Sequence, residues 1–183
     1  SASSGPPPAM RVSVVKAEQT DVPVTSEWVG TLDGYVNAQI QPQASGYLIR
    51  QNYREGSEVQ KDQVLFEIDP RPFNAALQQA EGQLEQAQAQ LGLAQINVAR
   101  DTPLAAARAI AKSQLDNEKQ QQSQAEAAVK SAQASVSTAK LNLSFTQVRS
   151  LITGVAGQAT TQVGNLVSGQ SVLTSVSQLD PIR

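Results

Sequence analysis

The sequence predicts an α+β fold in which a small β-sandwich is split by an inserted antiparallel helical hairpin. Two observations predict it. A weak repeat aligns segment 45–68 with segment 153–176 at a constant offset of 108 residues, without a gap. Between the two copies lies a long segment rich in alanine, leucine and glutamine, with a seven-residue apolar period. We therefore expect two β half-motifs that pair into one sandwich, with two helices projecting from their junction.

The N-terminal region lies outside the repeat. The first residues are small, polar and proline-rich, and we interpret residues 1–11 as a flexible tether. Segments 12–17 and 22–32 are β-branched and roughly alternating, and Pro23 suggests an edge strand or a strand start. Residues 12–34 are therefore expected to contribute strands.

The two half-motifs share glycines and apolar residues. Each copy has the pattern of short strands punctuated by glycine, with a turn near Gly56 or Gly164. Two unrelated glycine turns could produce so few identities, but their placement around a helical insert favours a true repeat. A further strand is expected over 35–41, with its counterpart over 145–151. The half-motifs then occupy residues 35–69 and 145–176. The identities are Gly46 with Gly154, Gly56 with Gly164, Val59 with Val167, Val64 with Val172 and Leu65 with Leu173.

The insert, residues 70–144, has heptad rows typical of a helical hairpin. The first arm carries the rows Leu77, Leu84, Leu91, Val98 and Phe73, Ala80, Ala87, Ala94. The second arm carries the rows Leu115, Val129, Val136, Leu143 and Ala111, Ala125, Ala132, Ala139, interrupted by Glu118 and Gln122. Alanine in alternate layers allows two helices to approach closely. About 30 residues per arm predict a length of roughly 45 Å.

Two positions are open for the turn of the hairpin. Asp101, Thr102 and Pro103 form a helix-start signal, but a turn there leaves arms of unequal length. Equal arms require a turn within 105–112. Ser113 followed by Asp116 resembles a capping box and favours this later turn, in which case Pro103 kinks or ends the first arm.

Composition excludes several classes of function. The formal net charge is −2 and no basic run is present, which disfavours nucleic-acid binding. There is no cysteine and no histidine, so thiolate metal sites, a cysteine nucleophile and a histidine base are excluded. Glu55 and Glu58 are interpreted as solvated turn charges. We assign no catalytic residue, metal or cofactor, and no segment approaches the roughly 18 apolar residues of a membrane span.

Several stretches carry a resemblance to a known family, namely VTSEWVGTLDG, ASGYLIRQNYREGSEVQKDQVLFEIDPRPF, AALQQAEGQLEQAQAQL, LNLSFTQVR, GNLVSGQSVLTSV and LDPI. In this order they resemble the membrane-fusion protein family, the periplasmic adaptors of tripartite efflux pumps. The IDPRPF motif and the hairpin length are similar to adaptors of resistance-nodulation-division (RND) transporters. The resemblance implies that the half-motifs form a lipoyl-like domain and that residues 12–34 are partial β-barrel strands. Residues 177–183 would start the return to that barrel, so we expect a C-terminally truncated chain whose N-terminal strands lack partners.

The resemblance also implies function and site. It predicts a non-enzymatic periplasmic adaptor that bridges an inner-membrane RND transporter and a TolC-type outer-membrane channel, and that self-associates into a ring, expected to be hexameric. The location would be the periplasm, associated with the inner membrane, with any lipid anchor absent from this chain. The family's hairpin tip carries an arginine, a leucine four residues later and a serine seven beyond. Arg100 and Leu104 match, Ala111 replaces the serine, and Arg108 and Lys112 are added as neighbouring charges.

Two other classes of function stay open at this point. A lipoyl or biotin carrier domain of a multienzyme complex needs an exposed lysine at the turn that joins the halves. The hairpin replaces that turn, and Lys61 lies inside the first half. A coiled-coil scaffold with β ends predicts neither a channel partner nor a ring, and the sequence does not eliminate it.

Overall fold

The computed structural model describes residues 5, 9–23, 25–27 and 34–182. The chain divides into two compact units, Ser1–Thr31 and Leu32–Arg183. The described residues of the first unit form no helix or strand, and their side chains are exposed. The structure therefore shows no strand at 12–17, 22–23 or 25–27, where the sequence predicts strands, and the other predicted positions lie outside the described residues. Alternation can specify a buried face, but a strand also needs a hydrogen-bonded partner.

The second unit is a β-sandwich interrupted by two long helices. Its strands form two antiparallel four-stranded sheets, ordered β1-β8-β6-β3 and β5-β4-β2-β7. The predicted α+β class, a split sandwich with an inserted helical hairpin, is confirmed. The elements in chain order are β1 Gly34–Ile40, β2 Gly46–Gln51, β3 Glu58–Val59, β4 Val64–Ile68, α1 Arg71–Ala106, α2 Lys112–Ser144, β5 Gln147–Arg149, β6 Gly154–Ala156, β7 Leu166–Val167 and β8 Thr174–Ile182.

The sequence repeat is a structural repeat. Exchanging each of the first four strands with its counterpart, β1 with β5, β2 with β6, β3 with β7 and β4 with β8, converts one sheet order into the other. The pairings obey the same exchange, because Gly46 lies opposite Val167 while Gly154 lies opposite Val59. Each sheet therefore contains strands from both halves, and neither half forms a sheet alone.

Equivalent positions of the two copies fill one core. Where the copies differ, their contacts differ as well: Phe66 packs edge-to-face against Tyr53 with ring centroids 5.3 Å apart, whereas its counterpart Thr174 donates a hydrogen bond to the carbonyl of Gly157. Divergence of the copies thus adjusts volume and hydrogen bonding inside a shared framework. The buried equivalents are Ile40 and Val148, Leu48 and Ala156, Val59 and Val167, Leu65 and Leu173, and Ile68 and Val176.

The turn glycines Gly56 and Gly164 are also equivalent. Both have positive φ, 75° and 96°, a conformation that other residues adopt at a cost. The N–H of Gly56 donates to the carbonyl of Ala156, and the N–H of Gly164 donates to that of Leu48, at 2.8 and 2.7 Å. Since a Cβ at either glycine would meet open space, the backbone conformation explains the choice of residue.

Replacing Gly56 by alanine is expected to lower the free energy of unfolding by about 1 kcal/mol, because only the left-handed backbone is strained. Gly82→Ala, in the interior of α1 where a Cβ also meets open space, is the matched control and should raise it by up to about 1 kcal/mol. Urea unfolding measures both. A Gly56→Ala variant as stable as the parent would contradict this role of the turn.

The hairpin turns at residues 107–111, between α1 of 36 residues and α2 of 33. The later of the two predicted turns is therefore confirmed, and the helix start at Asp101 is wrong. Pro103 lies in the last turn of α1, which ends at Ala106. The capping box is wrong as well. The helix α2 begins at Lys112 without a side-chain cap, which places Ser113 inside its first turn.

The heptad seam is confirmed and is built on alanine. Ala80, Ala87 and Ala94 are buried at 8% exposure each, and Leu115 and Val136 are buried on α2. The leucine row of α1 is half-buried around this line. Small side chains at the buried positions let the helix backbones approach, so the hairpin is held along its length by its own seam. Among the described residues, neither this hairpin nor any other helix is long and apolar enough to span a membrane.

The base of the hairpin is tied to the sandwich by backbone hydrogen bonds. The N–H of Ile68 donates to the carbonyl of Thr146 at 2.8 Å, and the N–H of Asp69 donates to that of Tyr47 at 2.9 Å. The Asp69 carboxylate accepts from the Arg71 N–H and guanidinium, and these hydrogen bonds lower the pKa of Asp69. Both helices thus leave the sheets from fixed points.

Ala87→Leu is expected to lower the free energy of unfolding by about 1–3 kcal/mol, because three added carbons must fit between closely packed helices. The matched control is Ala89→Leu, an identical change on the exposed face of the same helix, which should leave stability nearly unchanged. Thermal unfolding followed by circular dichroism compares them. Equal melting temperatures would argue against a narrow seam.

Candidate functional site: the distal end of the hairpin

The five predicted site residues all lie around the turn of the hairpin. Arg100 and Leu104 are in the last two turns of α1, Arg108 and Ala111 are in the connection, and Lys112 begins α2. All five are exposed, Leu104 at 39%. The structure therefore brings them to one end of the molecule's longest element.

The connection is closed by its own backbone. Arg108 has φ 57°, its N–H donates to the carbonyl of Ala105 at 3.1 Å, and the N–H of Ala109 donates to that of Leu104 at 2.8 Å. This pair of bonds is the Schellman arrangement, in which glycine is the usual left-handed residue. Arg108 occupies a backbone position that disfavours a side chain.

An exposed apolar stripe surrounds Arg100 on the outer face of α1. Leu93, Ile96, Arg100 and Leu104 are three, four and four residues apart, which places them on one helix face. We call these four residues the distal stripe. Leu93 and Ile96 are 61% and 65% exposed. Neither residue was predicted as part of the site, although both are apolar and lie outside the two heptad rows.

Next to the stripe, a carboxylate occupies the seam. Asp101 continues the buried row of Ala80, Ala87 and Ala94 and is only 2% exposed. Its Oδ1 accepts a hydrogen bond from Arg100 Nε at 2.9 Å, and its Oδ2 lies 3.4 Å from Gln114 Nε2 of the other helix. The hydrogen bond to Asp101 raises the pKa of Arg100, and the charges of Asp101 and Glu118 add to this effect.

Glu118 places a second carboxylate in the seam. It stands in the alanine row of α2, and its Oε2 is buried without a hydrogen-bond partner among the described residues. Glu118, which interrupts the alanine row of the heptad pattern, therefore places a negative charge close to Arg100. An unsatisfied buried acceptor costs about 1–3 kcal/mol, so we expect the seam near the turn to contribute less stability than the alanine seam nearer the base.

Glu118→Ala should accordingly raise the free energy of unfolding by about 1 kcal/mol, because the alanine row is completed and the unsatisfied oxygen is removed. Glu85→Ala removes the same charge from an exposed position of α1 and should have little effect. Chemical denaturation of both variants provides the comparison. A destabilised Glu118→Ala protein would mean that the carboxylate is satisfied in a way that supports the hairpin.

Potential metal ligands and Lys61 bear on the alternative functions. Among the described residues, no group of three or more potential metal ligands comes together. Lys61 is exposed in the turn between β3 and β4, where its N–H donates to Thr153 Oγ1 at 3.0 Å. The two halves are joined by α1 and α2. Lys61 is thus not at the junction where a carrier domain presents its lysine.

Residues 36–177 match the family described as "RND MFP, barrel-sandwich hybrid domain", where MFP denotes membrane fusion protein. The match covers most of the chain and includes the whole hairpin, the second half-motif and all but the first residue of the first half-motif. The chain therefore belongs to this family, and the resemblance inferred from the sequence is confirmed.

Two curated relatives share more than a third of their aligned residues with the chain. It is 38% identical over 177 residues to "Multidrug efflux pump subunit AcrA" of Escherichia coli strain K12, covering 96% of this chain and 44% of the relative. It is 37% identical over 186 residues to "Efflux pump periplasmic linker BepD" of Brucella suis, covering 96% and 45%. The chain thus spans less than half the length of these relatives.

A solved structure supports the fold. The membrane fusion protein Spr0693 from Streptococcus pneumoniae aligns with a TM-score of 0.66 at 18% identity, covering 84% of this chain and 64% of the other. At this identity the likeness concerns architecture alone. It agrees with the sandwich and inserted hairpin described above.

Proposed function

We propose that the protein is a periplasmic adaptor subunit of a multidrug efflux pump, linking an inner-membrane RND transporter to a TolC-type outer-membrane channel. The observation that carries the proposal is the exposed distal stripe at the far end of a hairpin whose own seam is already filled. Membership of the RND membrane fusion protein family, together with the relatives AcrA, an efflux pump subunit, and BepD, an efflux pump periplasmic linker, supports this proposal.

The arm has the properties that such a bridge requires. Its first helix has 36 residues and is about 54 Å long at 1.5 Å per residue. The alanine seam and the backbone bonds at the base resist bending and hold the distal end at a fixed distance from the sandwich. The protein then acts by connecting two membrane proteins, and it performs no chemical step.

Docking would use the distal stripe together with Arg108, Ala111 and Lys112. Leucine and isoleucine supply apolar area, and arginine, which is enriched at interface centres, supplies planar hydrogen-bond donors. Several copies would assemble side by side, expected to be six, with glutamine-rich helix flanks in contact. The protein would work in the periplasm at the inner membrane. A carrier function is disfavoured, since the halves are joined by the hairpin.

The test is photocrosslinking in the native host, from the full-length protein with a photoreactive residue at position 104 or at position 141. Leu104 and Leu141 are both exposed leucines in helices, at opposite ends of the hairpin. We expect the outer-membrane channel to be captured from position 104 and not from position 141, as identified by mass spectrometry of the adducts.

A functional arm accompanies the crosslinking. Leu104→Asp should make the host drug-sensitive at an unchanged protein level, since a charge is placed at the centre of the contact. Leu141→Asp is the matched change at the base. Full resistance in the Leu104→Asp strain, together with no channel adduct from position 104, would refute the docking proposal.

A further inference from the structure

We propose that Asp101 is a positioning residue that fixes the Arg100 guanidinium for docking. This inference rests on the proposed function, in which Arg100 contacts the channel. It adds a residue buried in the seam, outside the exposed docking surface, whose effect on the partner acts through Arg100.

The position of Asp101 in the seam argues against a purely structural role. The three preceding members of its heptad row are alanines, and each is buried. Alanine would fit the same place, has a higher helix propensity than aspartate and carries no charge to desolvate. A hairpin selected for stability alone would therefore have alanine at 101. The local departure from the seam pattern marks a site with a second requirement.

The hydrogen bond supplies that requirement. Consecutive residues on a helix do not face each other, so Arg100 must turn its side chain from the outer face toward the edge of the seam to reach Asp101. Its Nε is then held 2.9 Å from Asp101 Oδ1, while its side chain remains 62% exposed. Because only Nε is used within the described residues, the two Nη groups form one planar edge for acceptors of a partner, such as carboxylates or main-chain carbonyls.

The second helix completes the arrangement. Gln114 approaches Asp101 Oδ2 from α2, and Glu118 adds negative charge near Arg100. The orientation of Arg100 therefore depends on α1 and α2 being packed against each other at this level. An open or frayed distal end would present a mobile arginine, which loses more side-chain entropy on docking.

The experiment compares Asp101→Ala with Asp116→Ala, which removes an equal charge from an exposed position of α2. In the full-length protein, Asp101→Ala should keep or raise the melting temperature, since it extends the alanine row. It should reduce channel crosslinking from position 104 roughly tenfold, the size of one charge-assisted hydrogen bond. Asp116→Ala should change neither. A clear fall in melting temperature for Asp101→Ala would overturn the inference in favour of a structural role.

A double variant separates the two levels of the proposal. Arg100→Ala alone leaves Asp101 buried without its cation, so its effect on docking is mixed with loss of stability. In the Asp101→Ala background this problem is absent, and Arg100→Ala should cause little further loss of crosslinking. If crosslinking is retained in Asp101→Ala and lost only in the double variant, Arg100 docks without help from Asp101 and the inference is wrong. Retention in both would refute the docking role of Arg100 itself.

Discussion

The exchange of strands between the two halves of the sandwich is the constraint on which the rest of the structure depends. The strand β8 lies between β1 of the first half and β6 of its own half, while β2 lies between β4 of its own half and β7 of the other. Backbone hydrogen bonds cross between the halves at both turn glycines. Neither sheet is complete without strands from both halves. The hairpin that joins the halves must therefore leave from one fixed base.

Two packing rules then act along the hairpin. Over most of its length, alanine in the buried row favours close approach of the helices and gives a stiff arm. Near the turn the same row contains Asp101, and the opposing helix contains Glu118, so that the seam becomes polar. We expect this polar part of the seam to contribute less stability than the alanine part. In the proposed adaptor, its function is to hold an arginine in one orientation at the centre of an apolar stripe.

The sequence contains the architecture in its long-range patterns. A gapless offset between two glycine-rich segments specified the pseudosymmetric sandwich, and a heptad row of alanine specified the seam. Both patterns extend over many residues, so single substitutions do not hide them. The position of the turn followed from arm length, because two helices that pack along one seam must have similar lengths.

Short patterns were less informative. The alternating pattern of 12–17 predicted a strand but could not supply a partner strand for it. Ser113 and Asp116 have the spacing of a capping box, but α2 begins at Lys112, so both residues lie inside the helix. The pairing of Arg100 with Asp101 was not predictable, since adjacent helix residues ordinarily diverge and only the seam's geometry brings these side chains together. Leu93 and Ile96 could have been found as apolar residues outside both rows.

Native-state hydrogen exchange tests the central claim, that the two halves form one interlocked unit. The amides of Leu48 and Ala156 are the best probes, because each donates to a carbonyl of the other half, Asn165 and Ser57 respectively. The account predicts that both amides open with the same free energy and the same dependence on denaturant. Separate opening energies, with one half protected after the other has unfolded, would contradict it.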